Sequence, residues 1–186
     1  IAHEDWFWRP LCTLIGMEDV ADLKRAQRTR REVELVARIG KAIAERMAEH
    51  GAKVVISSRK AGPCDEVAAA INEKRPGSAI AVPASISSKE DLQRLVDETI
   101  KAFGKIDIMV CNAASNPYYG PMSGLTDDAF RKVLDNNIVS NHWLAQMVAP
   151  GMAARKDGAI IIVSSIGGLR GSSTLGAYAI SKAADM

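Results

Sequence analysis

From about Val33 onward the chain alternates short apolar runs rich in β-branched residues with longer stretches of helical period, and this alternation limits the fold more than any other feature. Strand, helix and strand in succession make a parallel crossover unit. Lys53–Ser57, Ala79–Val82, Ile106–Cys111 and Ala159–Ser164 read as strands, and a further short, central strand is expected at Val33–Val36. Helical patterns cover residues 40–50, 64–73, 89–103, 127–154 and 177 to the end, with Gly51, Gly104 and Gly158 as stop signals after three of them. Strands that are apolar almost throughout belong in a parallel sheet covered on both faces. With right-handed crossovers the expectation is an α/β fold, a doubly wound, Rossmann-like parallel sheet, truncated at its C-terminal side because the chain stops at Met186 inside a helical stretch.

Residues 1–32 do not share the rhythm and read as an atypical N-terminal extension to a partial domain at 33–186. Lys24, Arg25, Arg28, Arg30 and Arg31 crowd together there. Five cations along a helix are more often a solvated face than a nucleic-acid site, and the charge balance agrees. Lys and Arg number 24 against 22 Asp and Glu, leaving +2, with no global pull toward nucleic acid or an anionic membrane. A composition of 47% hydrophobic and 25% charged residues is that of a chain able to bury a core, which excludes disorder and coiled coil. The apolar runs are far shorter than the roughly 20 residues that cross a bilayer, so no membrane span is expected. The acidic opening Ile1–Asp5 is unlike a secretory signal. Cys12, Cys64 and Cys111 are too scattered for a disulfide framework or a zinc pattern, so no metal and a reducing cytoplasmic location are expected.

The residues that carry chemistry lie in the second half. Ser164 and Ser165 end a strand, where the ligand crevices of open α/β sheets form. Tyr178 and Lys182, four apart on a helix, share one face, and a cation near a phenol favours the phenolate and eases proton transfer at neutral pH. Ser165 precedes Tyr178 by 13 positions across a glycine-containing loop, Gly167–Gly171. In this order and spacing the chain resembles the short-chain dehydrogenase/reductase family. Cys111-Asn112-Ala113-Ala114 is similar to that family's Asn-Asn-Ala-Gly turn, and Leu134-Asp135-Asn136-Asn137-Ile138 to the segment that holds its fourth catalytic residue. The wording around Asn112–Pro117 and Ser164–Ile166 most resembles the carbonyl-reductase branch of dehydrogenase/reductase member 4 type.

The resemblance implies an NADP-dependent oxidoreductase interconverting carbonyl and hydroxyl groups by hydride transfer, acting on a small carbonyl or alcohol substrate, with a homo-oligomer admitted. It implies that Tyr178 exchanges a proton with the substrate oxygen, that Lys182 favours the phenolate and holds the nicotinamide ribose, that Ser165 hydrogen-bonds the substrate oxygen, and that Asn137 anchors a water leading to Lys182. Ser85, Asn112 and Ala113 would line the cofactor. At the end of the second strand Ser58 stands where NAD-preferring relatives carry an acid, and Arg59 follows. A guanidinium there grips a 2′-phosphate, so NADP is expected, with NAD admitted.

The front departs from the family. Its Thr-Gly-x-x-x-Gly-x-Gly loop, whose glycines let backbone approach the pyrophosphate at a helix N-terminus, is replaced by Leu35-Val36-Ala37-Arg38-Ile39-Gly40, where Gly40, with Ile39 beside it, is the sole counterpart. Weak cofactor seating and impaired catalysis are therefore expected. The alternatives are a catalytically inactive Rossmann-like fragment serving as a protein-interaction module and, more remotely, a nucleic-acid binder through Lys24 to Arg31.

Overall fold

The computed structural model describes residues 5–24, 27 and 32–186. Of the basic cluster, Lys24 is described; Arg25, Arg28, Arg30 and Arg31 lie outside the described residues. The chain divides into two compact units, one of Ile1–Ile56 with Ala61–Ala81, the other of Ser57–Lys60 with Val82–Met186.

In the first unit, α1 (Asp5–Leu14) leads through a single turn at Glu18–Val20 to α2 (Glu32–Glu49), followed by β1 (Val54–Ile56), α3 (Ala61–Lys74) and β2 (Ala79–Ala81). Trp8 and Cys12 of α1 are buried with Met17, Val20 and Leu35, and Ile39 packs against them. The Trp8 indole donates to the Val20 carbonyl at 2.8 Å, so the polar end of the ring is satisfied inside the cluster. Arg38 forks onto both carboxylate oxygens of Asp19 at 2.6 and 3.0 Å, and Arg9 pairs with Asp22.

The strand expected at Val33–Val36 is instead part of α2. Two physical reasons account for it. Leu35, Ile39 and Ala42 recur at helical spacing, with Leu35 and Ala42 buried. No residue from 32 to 49 except Gly40 disfavours a helix, and one interior glycine costs only about 1 kcal/mol relative to alanine. The helix thus runs through the stretch where the family has strand and glycine loop. It ends at Gly51, whose φ of +95° suits glycine, and the Arg75 guanidinium caps the terminal Glu49 carbonyl at 2.8 Å.

Strands β1 and β2 pair in parallel, Val54 opposite Ala79 and Ile56 opposite Ala81. The Asn72 side chain grips the entry to β2, accepting from the backbone N–H groups of Ser78 and Ala79 and donating to the Ala79 carbonyl.

The second unit contains α4 (Lys89–Phe103), β3 (Ile108–Cys111), α5 (Asp127–Leu134), a π-helical turn at Asp135–Val139, α6 (Ser140–Arg155), β4 (Ala159–Ile162) and α7 (Gly176–Ala184). Ser88 caps α4 by accepting the Asp91 N–H, Thr126 caps α5 by accepting that of Ala129, and acidic residues fill both first turns. Strands β3 and β4 pair in parallel from Ile108 opposite Ala159 to Cys111 opposite Ile162. Met109 and Cys111 point into a core with Val96 of α4 and Val148 and Met152 of α6.

The four sequence-predicted strands after residue 50 are all present, each paired in parallel, and alternate with helices as an α/β fold requires. Coverage on both faces does not hold for β4. Ile160, Ile161 and Ile162 remain 38–46% exposed. Among the described strands β4 pairs with β3 alone, and α4 and α6 cover the face to which Met109 and Cys111 point. No helix among the described residues is long and apolar enough to cross a membrane.

Candidate active site

The C-terminal end of β4 runs into Ser164 and Ser165 and then a single turn at Ile166–Gly168. Ser165 Oγ accepts the Gly167 N–H at 3.1 Å, which closes the turn. The Ser164 hydroxyl donates to the Lys182 carbonyl at 2.8 Å. Gly168 is required by close approach, since a Cβ there would sit 2.6 Å from the same carbonyl oxygen of α7. Strand end and helix are therefore in backbone contact. A Cβ built on Gly167 would stand 3.4 Å from Ser165 Oγ and 3.7 Å from the edge of the Tyr178 ring, so the serine hydroxyl and the half-buried phenol flank one small position.

Lys182 lies one helical turn beyond Tyr178 and is 2% exposed. An ammonium so deeply buried must be paired. It donates to the Val163 carbonyl at 2.9 Å and to Asp185 Oδ2 at 2.7 Å, in an ion pair whose two side chains are each 3% exposed.

Asn137 is fully buried in the π-helical turn, an irregularity frequent at functional sites. Its Oδ1 accepts the Ser115 N–H at 2.7 Å, and its Nδ2 donates to the Ser115 carbonyl at 3.0 Å and to Ser181 Oγ at 2.9 Å. Both amide hydrogens are thus occupied by protein groups. Its backbone carbonyl accepts from Asn141 Nδ2 at 2.8 Å. Asn136 Nδ2 donates to Ser115 Oγ and its Oδ1 accepts from the Ser87 hydroxyl, so two successive asparagines hold Ser115 by N–H, carbonyl and side chain together. This clamp fixes the loop that carries half-buried Asn112 and exposed Ala113. Ser181, in turn, donates to the Tyr178 carbonyl at 2.8 Å and ties the clamp to the helix of Tyr178 and Lys182.

At the end of β3, burial pushes the Cys111 thiol up to about 11, the Asp185 carboxylate adding to the rise and Lys182 opposing it. Ser85 N–H donates to Asp91 at 2.9 Å, and the Asp91 carboxyl is held below its usual range by the hydrogen bond from Arg94 and then by that from Ser85. Ser58 exchanges hydrogen bonds with the Lys60 backbone and accepts the Ala84 N–H, leaving Arg59 exposed on the turn.

Asn137, Ser165, Tyr178 and Lys182 thus fall in one connected set within the second unit, which also contains Ser58, Arg59, Ser85, Asn112 and Ala113. Ile39 and Gly40 belong to the first unit. Gly40 sits in the middle of α2, and a Cβ added to it would meet nothing within 4 Å. The missing side chain opens no cradle, and the helix begins eight residues earlier at Glu32. The residues present in the first unit do not fit a pyrophosphate seated in the family's manner. Sequence reasoning missed Asn136, Asn141, Ser115, Ser181 and Asp185. For Asp185 a signal exists in the chain, an acid three residues after Lys182 on one helix.

The short chain dehydrogenase family model matches residues 36–185. Curated relatives include dehydrogenase/reductase SDR family member 4 of Rattus norvegicus, 39% identical over 146 residues, which are 78% of this chain and 52% of the relative. The protein of the same name from Homo sapiens is 38% identical over 149 residues, with the same coverage. The chain spans about half the length of these relatives. Among solved structures, a metagenomic short-chain oxidoreductase in complex with NADP is 28% identical with a TM-score of 0.73, over 79% of this chain and 66% of that one. NAD+-bound xylitol dehydrogenase is 26% identical with a TM-score of 0.71, over 78% and 56%. With its doubly wound α/β class and a family match from residue 36 to residue 185, this chain belongs to the short-chain dehydrogenase/reductase family.

Proposed function

We propose that this chain carries the proton-transfer centre of an NADP-dependent oxidoreductase that interconverts carbonyl and hydroxyl groups, with cofactor seating, and hence turnover, impaired. The observation that carries the reading is the juxtaposition of Ser165 Oγ and the Tyr178 ring about Gly167, with Lys182 one turn further on the same helix. Reduction of a carbonyl builds negative charge on its oxygen, and donors already aimed at that oxygen stabilise it without reorganising. Ser165 supplies one hydroxyl donor. Tyr178 supplies the second and gives up its proton, and the Lys182 charge favours the phenolate left behind. Asn137 holds Ser115 and Ser181 in place instead of offering its own amide to the reaction. A nicotinamide cofactor supplies the hydride for this class of reaction.

Impairment follows from α2. Where relatives carry a glycine loop the backbone here is helical, and misplacement of reacting groups by about 1 Å can cost roughly 100-fold. Exposed Arg59 beside Ser58, with no acid, supports preference for a 2′-phosphate. The substrate is a small carbonyl or alcohol, the setting cytoplasmic, and assembly homo-oligomeric.

The test is NADPH oxidation with a panel of reactive carbonyls, comparing the chain with a variant in which residues 35–40 are replaced by the family's glycine loop. Higher affinity and turnover in the variant, both dependent on Tyr178, are expected. NADPH binding that the loop replacement leaves unchanged would refute the seating reading. A second reading, an inactive domain that binds a protein partner, is favoured by the exposed apolar residues of β4. It predicts no nucleotide binding by either form.

A further inference from the structure

Lys182 is held by an acid that lies outside the family pattern quoted above, and the chain of contacts continues beyond it. Asp185 Oδ2 accepts from Lys182 Nζ at 2.7 Å, while Asp185 Oδ1 accepts from Asn141 Nδ2 at 3.4 Å. The same Asn141 nitrogen donates to the Asn137 carbonyl at 2.8 Å. Lys182 is therefore linked to the turn carrying Asn137 through the side chains of Asp185 and Asn141.

We propose that Asp185 is a positioning residue for Lys182, anchored by Asn141, and that it sets how much of the ammonium's charge reaches Tyr178; this rests on the assignment of Tyr178 and Lys182 made above. An ammonium has three N–H donors. Val163 and Asp185 take two, which aims the third and fixes the stem. The anion also cancels part of the charge that favours the phenolate, so Tyr178 ionises at a higher pH than it would beside an unpaired cation. The buried Cys111 thiol of β3 is a further ionisable neighbour of the pair. Asp127, Asp128, Arg131 and Lys132 of α5, which also packs on α7, are exposed, as are Asp135 and His142 on the neighbouring turn and α6.

The test uses the full chain without nucleotide, labelled with ¹³Cζ-tyrosine, with the Tyr178 resonance identified through Tyr178→Phe and titrated by NMR. Asp185→Asn is expected to lower the Tyr178 midpoint by about one unit, a tenfold change in its ionisation constant, because the ammonium loses the anion beside it. Asp185→Glu is expected to bring the midpoint back most of the way, and Asn141→Ala to move it in the same direction as Asp185→Asn by less. The Cys111 thiol is expected to follow downward in Asp185→Asn, read from its ¹³Cβ shift.

A Tyr178 midpoint unmoved in folded Asp185→Asn, or one displaced as far in Asp185→Glu as in Asp185→Asn, would overturn the proposal. Should Asp185→Asn not fold, Asn141→Ala carries the decision, an unmoved midpoint counting against. Titration of NADPH in parallel separates the two ideas. Absence of nucleotide binding by both the parent and the variant carrying the family's glycine loop sinks the proposed oxidoreductase function and leaves the Tyr178 shift to be judged by itself.

Discussion

The two units of this chain treat the family pattern in opposite ways. In the second, Asn137 and the helix carrying Tyr178 and Lys182 are joined by hydrogen bonds through Ser181, and Ser165 Oγ closes its own turn on Gly167 beside the Tyr178 ring. In the first, the strand and glycine loop that would seat a pyrophosphate are replaced by the front half of α2, packed on Trp8, Cys12 and Val20. The difference teaches that two parts of one family pattern can be altered separately, because they sit in segments with separate cores. In the proposed reading, proton transfer rests on a few polar contacts around α7, the turn carrying Asn137 and the end of β4. Phosphate seating in that reading rests on backbone approach, and one continuous helix stands where the family's loop would make it.

The strongest way to break this comparison is through Tyr178. Tyr178→Phe removes the proton donor and leaves the ring, and is expected to lower any NADPH-dependent turnover by 100-fold or more, in line with a general acid worth roughly 10²–10⁴. Turnover that survives would place the chemistry elsewhere.

Next in size is the core of the first unit. Trp8 is 1% exposed, and Trp8→Ala is expected to destabilise that unit by about 3–5 kcal/mol. Hydrogen exchange reads the outcome, with amide protection lost in α2 and β1 and kept in β3 and α6. Equal loss in both units would mean that they do not stabilise independently.

The Cys111 thiol gives a pH window within the second unit. Its value rises from 9.0 to about 11 in the fold, so the native state keeps the proton longer than the unfolded chain. Its contribution is complete below pH 9 and is lost as pH climbs through 11, an effect of about 2–3 kcal/mol by linkage. Denaturant melts from pH 8 to 11 should show that loss in the parent chain and not in Cys111→Ala.

The smallest expected effect sharpens the cofactor side. Arg59→Ala should weaken NADPH binding by about 1–3 kcal/mol and leave NADH unchanged. Equal affinity of the parent for both nucleotides would remove the 2′-phosphate contact.

Much of this was legible in the residue order. Near-continuous apolar runs such as Val54–Ile56 and Ala159–Ile162 fit a parallel strand with little ambiguity, because few other elements accommodate four β-branched or small apolar residues between turn signals. The Ser165, Tyr178 and Lys182 spacing likewise belongs to the chain, since a turn of fixed length and one helical turn convert sequence distance directly into proximity. Tertiary structure alone decided the rest. Val33–Val36 is as compatible with a strand as with a helix, and in the folded unit Leu35 is buried on the helix in one cluster with Trp8 and Val20. Whether Lys182 stands open or is paired depends on what surrounds it once water is excluded. A buried ammonium takes the nearest acceptors, here Val163 and, three residues on, Asp185, and Asn137 likewise spends its side chain on Ser115 and Ser181; the contacts to Val163, Ser115 and Ser181 join residues far apart in the chain that no local spacing encodes.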